Sequence, residues 1–432
     1  MRLFARYASK ILSDTGKGLP SPLLPGLLGL ALLNPLAAAE PLTLKQALEL
    51  SFRQSPALQA EAAKIRACEA RHRRAGLLPN PTLRIVLEDF GGSGERRGYR
   101  LGESTILLSQ LIELGGKRAK RSALASSACE VIRWDYEVRR LQVALTTHRA
   151  FIEVLAAQER VRLAQKLAEL AERLASAVED RIAAGESSLP ERYRAQVELA
   201  RARLERERAA HDLQAVRQNL AASLGDLEAR FERVIGRLDQ IFPPPPFDQL
   251  LDRLRRSPDR TRWASEVVRR QRLLSVAEAA TVPDVTVGVG LRHYAENGDV
   301  AAVVRFQIPL FIFNDQTTRV EEARARLEQG EAEARAALVE IRRQLTVAYH
   351  RWRQAYRSVV RLRQEIIPNA KAAMKAIERA YRSGEVGLLD LLDAQRTLFA
   401  VRRELLDAEV QWHLWHAAVV RLVGETEQEA LP

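Results

Sequence analysis

Most of the chain has apolar residues at helical spacing. Between Leu338 and Ile366 they are separated by alternating steps of three and four residues, as in coiled coils. Residues 117–182 have similar steps and no proline, which predicts a helix ~100 Å long that must pack beside other long helices. Pro368 should bend or split the helix that contains Leu338 and Ile366. Further helices are expected over residues 44–75, with a break near Pro56, and over residues 189–224 and 388–423.

Four shorter stretches alternate between apolar and polar residues, which is the spacing of strands. The first, residues 82–90, has Leu83, Ile85 and Leu87 on one face and polar residues on the other. A glycine-rich loop follows, and a second strand is expected over residues 99–112. The later pair is expected at residues 285–291 and 301–308, again with one apolar face. The fold class is therefore mainly α with a small β part.

Several motifs occur twice in the chain. Gly185-Glu186, Leu189 and Ala195-Gln196 recur 199 residues later as Gly384-Glu385, Leu388 and Ala394-Gln395. A period this long indicates a duplicated domain and not a solenoid repeat. Each half has the order helix, strand, strand, long helix, helix. The two repeats are expected at residues 40–240 and 248–424, with a proline linker at residues 241–247 and a C-terminal tail at residues 425–432.

The first 39 residues differ from the rest of the chain. Basic residues such as Arg2 and Lys10 precede a short apolar run at residues 23–33, and three alanines precede Glu40. This pattern is typical of a secretory signal peptide at residues 1–39, and the alternative is a signal anchor. The cleavage site has no cysteine, so no N-terminal lipid anchor is expected.

Charge and cysteine content narrow the classes of function. Charged residues make up 28% of the chain and the net charge is +12, but arginine and glutamate alternate along the helices. Alternation indicates solvated helix faces, so nucleic-acid binding is not expected. Cys68 and Cys129 could form a disulfide in an oxidising compartment. A single pair at no metal-like spacing nevertheless favours two packed thiols.

The number of strands suggests that several copies assemble. Four strands cannot close a barrel, and an open sheet would leave exposed edges. Three chains would supply twelve strands of roughly 9–11 residues, the length that a tilted membrane strand needs. The alternative from strand spacing alone is a monomeric soluble α+β protein.

Three motifs mark the entry to the first strand, the exit from the second strand and the twin helical turns. They are Leu78-Pro79-Asn80-Pro81-Thr82-Leu83, then Ser109-Gln110-Leu111-Ile112-Glu113-Leu114-Gly115-Gly116-Lys117-Arg118, and the pair Gly185-Glu186 and Gly384-Glu385. These motifs resemble the TolC-type outer-membrane efflux proteins, and the resemblance covers residues 42–424. The Glu-Leu-Gly-Gly-Lys-Arg form is most similar to the outer-membrane components of cobalt–zinc–cadmium RND efflux systems.

The resemblance implies a homotrimer with a twelve-stranded β-barrel in the outer membrane of a Gram-negative-type cell, continued by an α-helical periplasmic barrel. It also implies a passive duct for heavy-metal cations that works with a periplasmic adaptor (membrane fusion) protein and an inner-membrane RND pump. Alternatives are a duct for drug efflux or type I protein secretion, and a soluble periplasmic coiled-coil scaffold or adaptor. Neither catalysis nor a cofactor is expected.

The same resemblance assigns roles to the two helical turns and to the residues that follow them. The turns would be tips that dock the adaptor, and ordinary helix caps are the alternative. Asp390 and Asp393 would form a periplasmic gate with Glu191 and Arg194, unless they are a plain surface carboxylate pair. His413 and His416 are a weak candidate for a metal site. The expected tip residues are Arg181, Gly185, Glu186, Ser187, Leu189, Arg382, Gly384, Glu385, Val386, Gly387 and Leu388.

Overall fold

The computed structural model describes residues 41–314 and 316–425. The expected signal peptide, and the tail after Glu425, lie outside the described residues. The elements of the first half are β1 (Leu42–Thr43), α1 (Leu44–Gln54), α2 (Pro56–Ala75), β2 (Thr82–Glu88), β3 (Glu103–Ile112), α3 (Lys117–Ala183), α4 (Leu189–Leu224) and β4 (Val234–Ile235).

The second half follows the same plan after residues 241–246, which have no regular secondary structure. Its elements confirm the expected order of helices around a β-hairpin. They are α5 (Phe247–Leu254), α6 (Pro258–Ala280), β5 (Val285–Tyr294), β6 (Val300–Gln307), α7 (Thr317–Arg361), a π-helical segment (Leu362–Ile366), α8 (Ile367–Ser383) and α9 (Leu388–Val423).

The two hairpins form one four-stranded antiparallel sheet in the order β2-β3-β5-β6. Rows of paired residues confirm the expected faces: Leu83 pairs with Leu108, and Leu108 pairs with Val289. Val304 continues this row on β6, and all four side chains are exposed. Among the described residues β2 and β6 each pair with one strand only, so both edges of the sheet are open.

The second strand is shorter than expected because its first residues form a turn. The strand was expected from about Tyr99, but β3 begins at Glu103. The Gly102 N–H donates to the Tyr99 carbonyl, and Gly98 has a φ of +73°, so the backbone turns here instead of extending. A Cβ at Gly102 would lie 2.6 Å from the Tyr99 ring, so only glycine fits beneath it.

A disulfide joins Cys68 of α2 to Cys129 of α3, with the two Cα atoms 5.5 Å apart. The expectation of two packed thiols was therefore wrong. Helix α2 leads into the first hairpin and α3 leaves it, and the two helices pack along each other. Their packing brings together two buried cysteines that are 61 residues apart in sequence.

Pro368 splits the second long helix, as predicted, by way of a π turn. The Ile367 N–H donates to the Leu362 carbonyl five residues earlier, and Pro368 lies in the first turn of α8. The turn places Arg363 where its Nη2 donates to Glu409 at 2.6 Å and to the Asp239 carbonyl at 2.9 Å. The segment that connects the halves is thereby tied to the long helix.

The long helices of the two halves pack along each other: α4 packs on α3, α3 on α9, and α9 on both α7 and α8. Separate apolar clusters lie along them, including one around Trp352 and Trp412 and one at the far end around Val178 and Tyr381. Within residues 41–314 and 316–425, no helix is long and apolar enough to cross a membrane.

Candidate docking tips and gate

The first expected tip is the turn between α3 and α4. Gly185 has a φ of +76°, and the Glu186 N–H donates to the Arg181 carbonyl at 2.8 Å. This hydrogen bond closes the last turn of α3, and the left-handed conformation explains why glycine stands here. Ser188 is extended before α4, and Pro190 occupies the first turn of that helix.

The second tip, between α8 and α9, repeats this geometry. Gly384 has a φ of +81°, and the Glu385 N–H donates to the Ala380 carbonyl at 2.9 Å. The predicted left-handed glycine caps are confirmed at both turns. A turn closed by its own hydrogen bonds holds its shape without a partner, so both tips are preformed.

The two tips lie side by side. Val178 from α3 packs with Tyr381 from α8 and with Leu388 and Leu391 from α9 in one buried cluster. The Arg181 guanidinium lies 5.0 Å from the centre of the Tyr381 ring, a cation–π contact between the halves. Sequence reasoning missed Tyr381, and the signal available was an aromatic residue three positions before the capping glycine.

The repeated leucines of the tips have different environments. Leu189 is 56% exposed, whereas Leu388 is 1% exposed and packs between the hairpins. Val386 is also partly buried in this cluster, so both residues stabilise the tips more than they present a surface. The expected docking residues that remain exposed are Gly185, Glu186, Leu189, Arg382, Gly384, Glu385 and Gly387. Arg181 and Ser187 are half-buried.

The four expected gate residues do not meet within one chain. Asp390 accepts a hydrogen bond from the Gly387 N–H at 3.1 Å and so caps its own helix. Glu191 accepts from the Ser187 hydroxyl within the first tip. Asp393 and Arg194 are exposed, and in the described part of the chain neither aspartate pairs with Arg194.

Three ion pairs above the tips join α9 to the first half, and sequence reasoning missed them. Arg396 pairs with Glu198, Arg403 Nη2 lies 2.7 Å from Glu205 Oε1, and a third pair joins Arg160 to Asp407. The first two pairs are seven residues apart on both helices, which is the heptad signal that could have found them. The hydrogen bond with Glu198 raises the pKa of Arg396; burial opposes this, and the charge of Asp393 adds to it.

The expected weak metal candidates are used in packing. His413 Nε2 lies 3.2 Å from the Leu238 carbonyl oxygen. His416 is buried and stacks on Trp412, with ring centres 5.1 Å apart. Across residues 41–314 and 316–425, no group of three or more His, Cys, Asp or Glu side chains is arranged to hold a metal ion.

Comparison with known proteins agrees with this architecture. The model of the family "Outer membrane efflux protein" matches residues 47–226 and 252–425. The cobalt-zinc-cadmium resistance protein CzcC of Cupriavidus metallidurans is 33% identical over 390 residues, which cover 90% of this chain and 92% of CzcC.

Solved structures share the fold at low sequence identity. A membrane protein from Pseudomonas aeruginosa aligns with a TM-score of 0.76 and 18% identity over 89% of this chain and 91% of its own. The outer membrane protein VceC from Vibrio cholerae aligns with a TM-score of 0.74 and 18% identity over 88% of this chain and 96% of its own. The fold is TolC-like, as the motifs predicted, and the chain belongs to the outer membrane efflux protein family.

Proposed function

We propose that this protein is the outer-membrane duct of a tripartite RND efflux system and exports heavy-metal cations. Membership of the efflux family supports the duct, and the similarity to CzcC supports the metal cargo. The single observation that carries the proposal is the sheet, which combines a continuous apolar face with two open edges. A soluble protein of this kind would have to cover both.

Three copies close these edges in the proposed assembly. Strand β6 of one copy pairs with β2 of the next, so twelve strands form a barrel whose apolar faces contact lipid. The opposite face carries Arg84, Glu88, Arg292, Arg305 and Gln307, which suit a water-filled lumen. Arg292 Nη1 already pairs with Glu103 Oε2 at 2.8 Å on this face, so one of these charges is balanced within the chain.

The helices extend from the barrel into the periplasm, and the tips dock the adaptor protein that couples the duct to an inner-membrane pump. The exposed tip residues support this role because they lie on preformed turns. Asp393 is exposed, and Asp390 lies in the first turn of α9. Around a threefold axis these carboxylates would gather and form a cation-selective gate.

The duct is tested by reconstitution of the full-length processed protein. Mass measurement in detergent should give a trimer, and planar bilayers should show cation-selective channels. Extraction of the protein from membranes by a salt wash, as a stable single subunit without conductance, would overturn the proposal and favour a periplasmic scaffold.

The gate is tested with Asp390→Asn together with Asp393→Asn. Asparagine removes the charge but keeps an oxygen for the Gly387 N–H, so the helix cap survives. We expect higher single-channel conductance and weaker block by divalent cations. Glu207→Gln with Glu328→Gln removes two exposed charges elsewhere and serves as the control. Unchanged currents in the aspartate variant would remove the gate but not the duct.

A further inference from the structure

We propose that the loop between β2 and β3 binds phosphate groups of the outer-leaflet glycolipid. This loop lies at the end of the sheet away from the long helices, because β2 runs from Thr82 next to α2 to Glu88 at the loop. The inference rests on the proposed outer-membrane duct, in which this end of the barrel faces outward. It adds a lipid partner that the duct function does not require.

An aromatic pair lies where the apolar face of the sheet ends. The Tyr99 hydroxyl contacts the Ser104 hydroxyl, and the Tyr99 ring lies over Gly102. Ser104 lies on the same side of β3 as Ile106 and Leu108, which belong to the apolar face. Tyr99 therefore lies on the apolar side, in the last row before the loop.

Phe90, two residues after the end of β2, completes this pair. Its ring centre is 6.4 Å from that of Tyr99, and the two side chains are 54% and 45% exposed. Membrane barrels place aromatic side chains at this level, where the hydrocarbon meets the headgroups. The pair thus marks the depth at which lipid phosphates begin.

Two arginines extend beyond the aromatic pair without a protein partner. Arg97 and Arg100 are exposed, and no described residue lies within ion-pair distance of either guanidinium. Arg96 differs, because it pairs with Asp89. Both guanidinium groups are therefore available to an external anion. Guanidinium binds phosphate with two parallel hydrogen bonds.

The loop is structured before any lipid arrives. The Gly91 N–H donates to the Gly98 carbonyl at 2.8 Å, and the Gly92 N–H donates to the Arg96 carbonyl at 3.0 Å. Positive φ angles at Gly91, Gly94 and Gly98 allow these bonds. A preformed loop loses little conformational entropy when it binds.

The loop of the second hairpin has the opposite charge. It carries Glu296 and Asp299, and Asn297 makes hydrogen bonds within the turn. Phosphate would be repelled there. The first loop carries three arginines against Asp89 and Glu95, so only this loop has a net positive charge. The asymmetry also orients the partner, since each copy would hold glycolipid on the β2–β3 side.

The test compares binding of the detergent-solubilised full-length protein to diphosphorylated lipid A and to its monophosphorylated form. We expect wild type to prefer the diphosphorylated lipid, and Arg97→Gln with Arg100→Gln to weaken that binding roughly tenfold. Arg206→Gln with Arg342→Gln removes two exposed charges from the helices and should bind like wild type. All variants are first checked for the same thermal stability and conductance.

Each outcome decides between the two proposals. Equal lipid A binding by wild type and the Arg97/Arg100 variant, with conductance intact, overturns the lipid site and leaves the duct. Failure of wild type itself to insert into bilayers overturns the duct, and the lipid site with it. Loss of binding in the helix control as well would mean that net charge, not the loop, attracts the lipid, and this also overturns the site.

Discussion

The helix pairs at the bases of the two hairpins are joined at matching positions by different chemistry. Cys68 and Arg270 each lie twelve residues after the proline that begins α2 or α6. Cys129 and Gln329 each lie twelve residues after the start of α3 or α7. The first pair of helices is joined by the disulfide, and the second by the side chain of Arg270.

The side chain of Arg270 fills the space that a side chain at position 330 of α7 would occupy. Its Nη2 lies 2.6 Å from Glu333 Oε2, and its Nη1 donates to the Arg326 carbonyl at 3.0 Å. A Cβ at position 330 would lie 2.5 Å from its Cδ atom, which explains Gly330 in the middle of a long helix. Glu266, which is buried, binds the same arginine at 2.9 Å.

The two halves therefore share the position of a crosslink between helices, but the chemistry of the crosslink differs. A disulfide stabilises mainly by restricting the unfolded chain, and in the entropy model its effect grows with the loop it closes. A buried ion network acts in the folded state and depends on every partner being present. The two halves should therefore respond to different perturbations.

Removal of the disulfide should have the largest effect. Cys68→Ala with Cys129→Ala opens a loop of 61 residues. In the entropy model this lowers the free energy of unfolding by about 4 kcal/mol. Urea unfolding gives the total loss, and hydrogen exchange should locate it in α2 and α3 while α6 and α7 keep their protection. Wild type treated with a reductant is the matched control. An unchanged unfolding midpoint in reductant would contradict the prediction.

Arg270→Met should lower the free energy of unfolding by somewhat less, about 3 kcal/mol. Glu333 loses its cation in this variant, whereas Glu266 keeps Arg269 as a partner. Hydrogen exchange should increase in α6 and α7 only in this variant. Reduction of the disulfide should lower the free energy of unfolding further, by the amount that it lowers that of wild type. Arg272→Met changes an exposed arginine on the same helix and should leave unfolding unchanged. Equal effects of both substitutions would mean that the ion network contributes nothing specific.

Acid should weaken the second half more than the first, and this is the smallest effect. Burial by itself would raise the pKa of Glu266, but hydrogen bonds from Arg269 and Arg270 outweigh it, so the folded pKa lies below the usual 4.5. As pH falls below 4.5 the unfolded chain takes up the proton first, and the stability from this carboxylate is lost as pH falls through the folded pKa.

Unfolding of α6 and α7, followed by hydrogen exchange in urea at pH 7, 4 and 3, measures the acid effect. Glu266→Gln should lower stability at pH 7 and remove part of the loss at low pH. The disulfide has no titrating group in this range, and the Arg133–Glu69 pair between α2 and α3 is exposed, so these two helices should lose less stability and serve as the comparison. An equal pH response of both helix pairs would contradict the comparison.

Local sequence patterns were enough to predict the elements that have one apolar face or that end at a capping glycine. Each strand has one apolar face, so alternation predicted which residues share that face. Helices α4 and α9 were predicted to their last residues because Gly225 and Gly424, with φ of +85° and +87°, follow them. The disulfide could not be predicted in this way, because it depends on how α2 packs on α3.

The site was predictable only in part, for related reasons. Glycine at both turns predicted the caps, but the same residue type stands at Leu189 and Leu388, so burial of only the second could not be read from the sequence. The capping role of Asp390 could have been predicted from the sequence, because an acidic residue three positions after Gly387 is typical of the start of a helix. The heptad spacing of Arg396 and Arg403 was visible in the sequence, but matching it to the glutamates of α4 needed the relative position of the two hairpins.

In the proposed assembly, the open edges of the sheet have a consequence for a single copy that has not yet met its neighbours. Until a neighbour arrives, β2 and β6 present unpaired N–H and C=O groups beside exposed side chains such as Leu83 and Phe306. Any strand that arrives can add to such an edge, and head-to-tail addition without ring closure would give open-ended fibres. Efficient assembly therefore requires that single copies remain scarce and shielded on their way to the membrane.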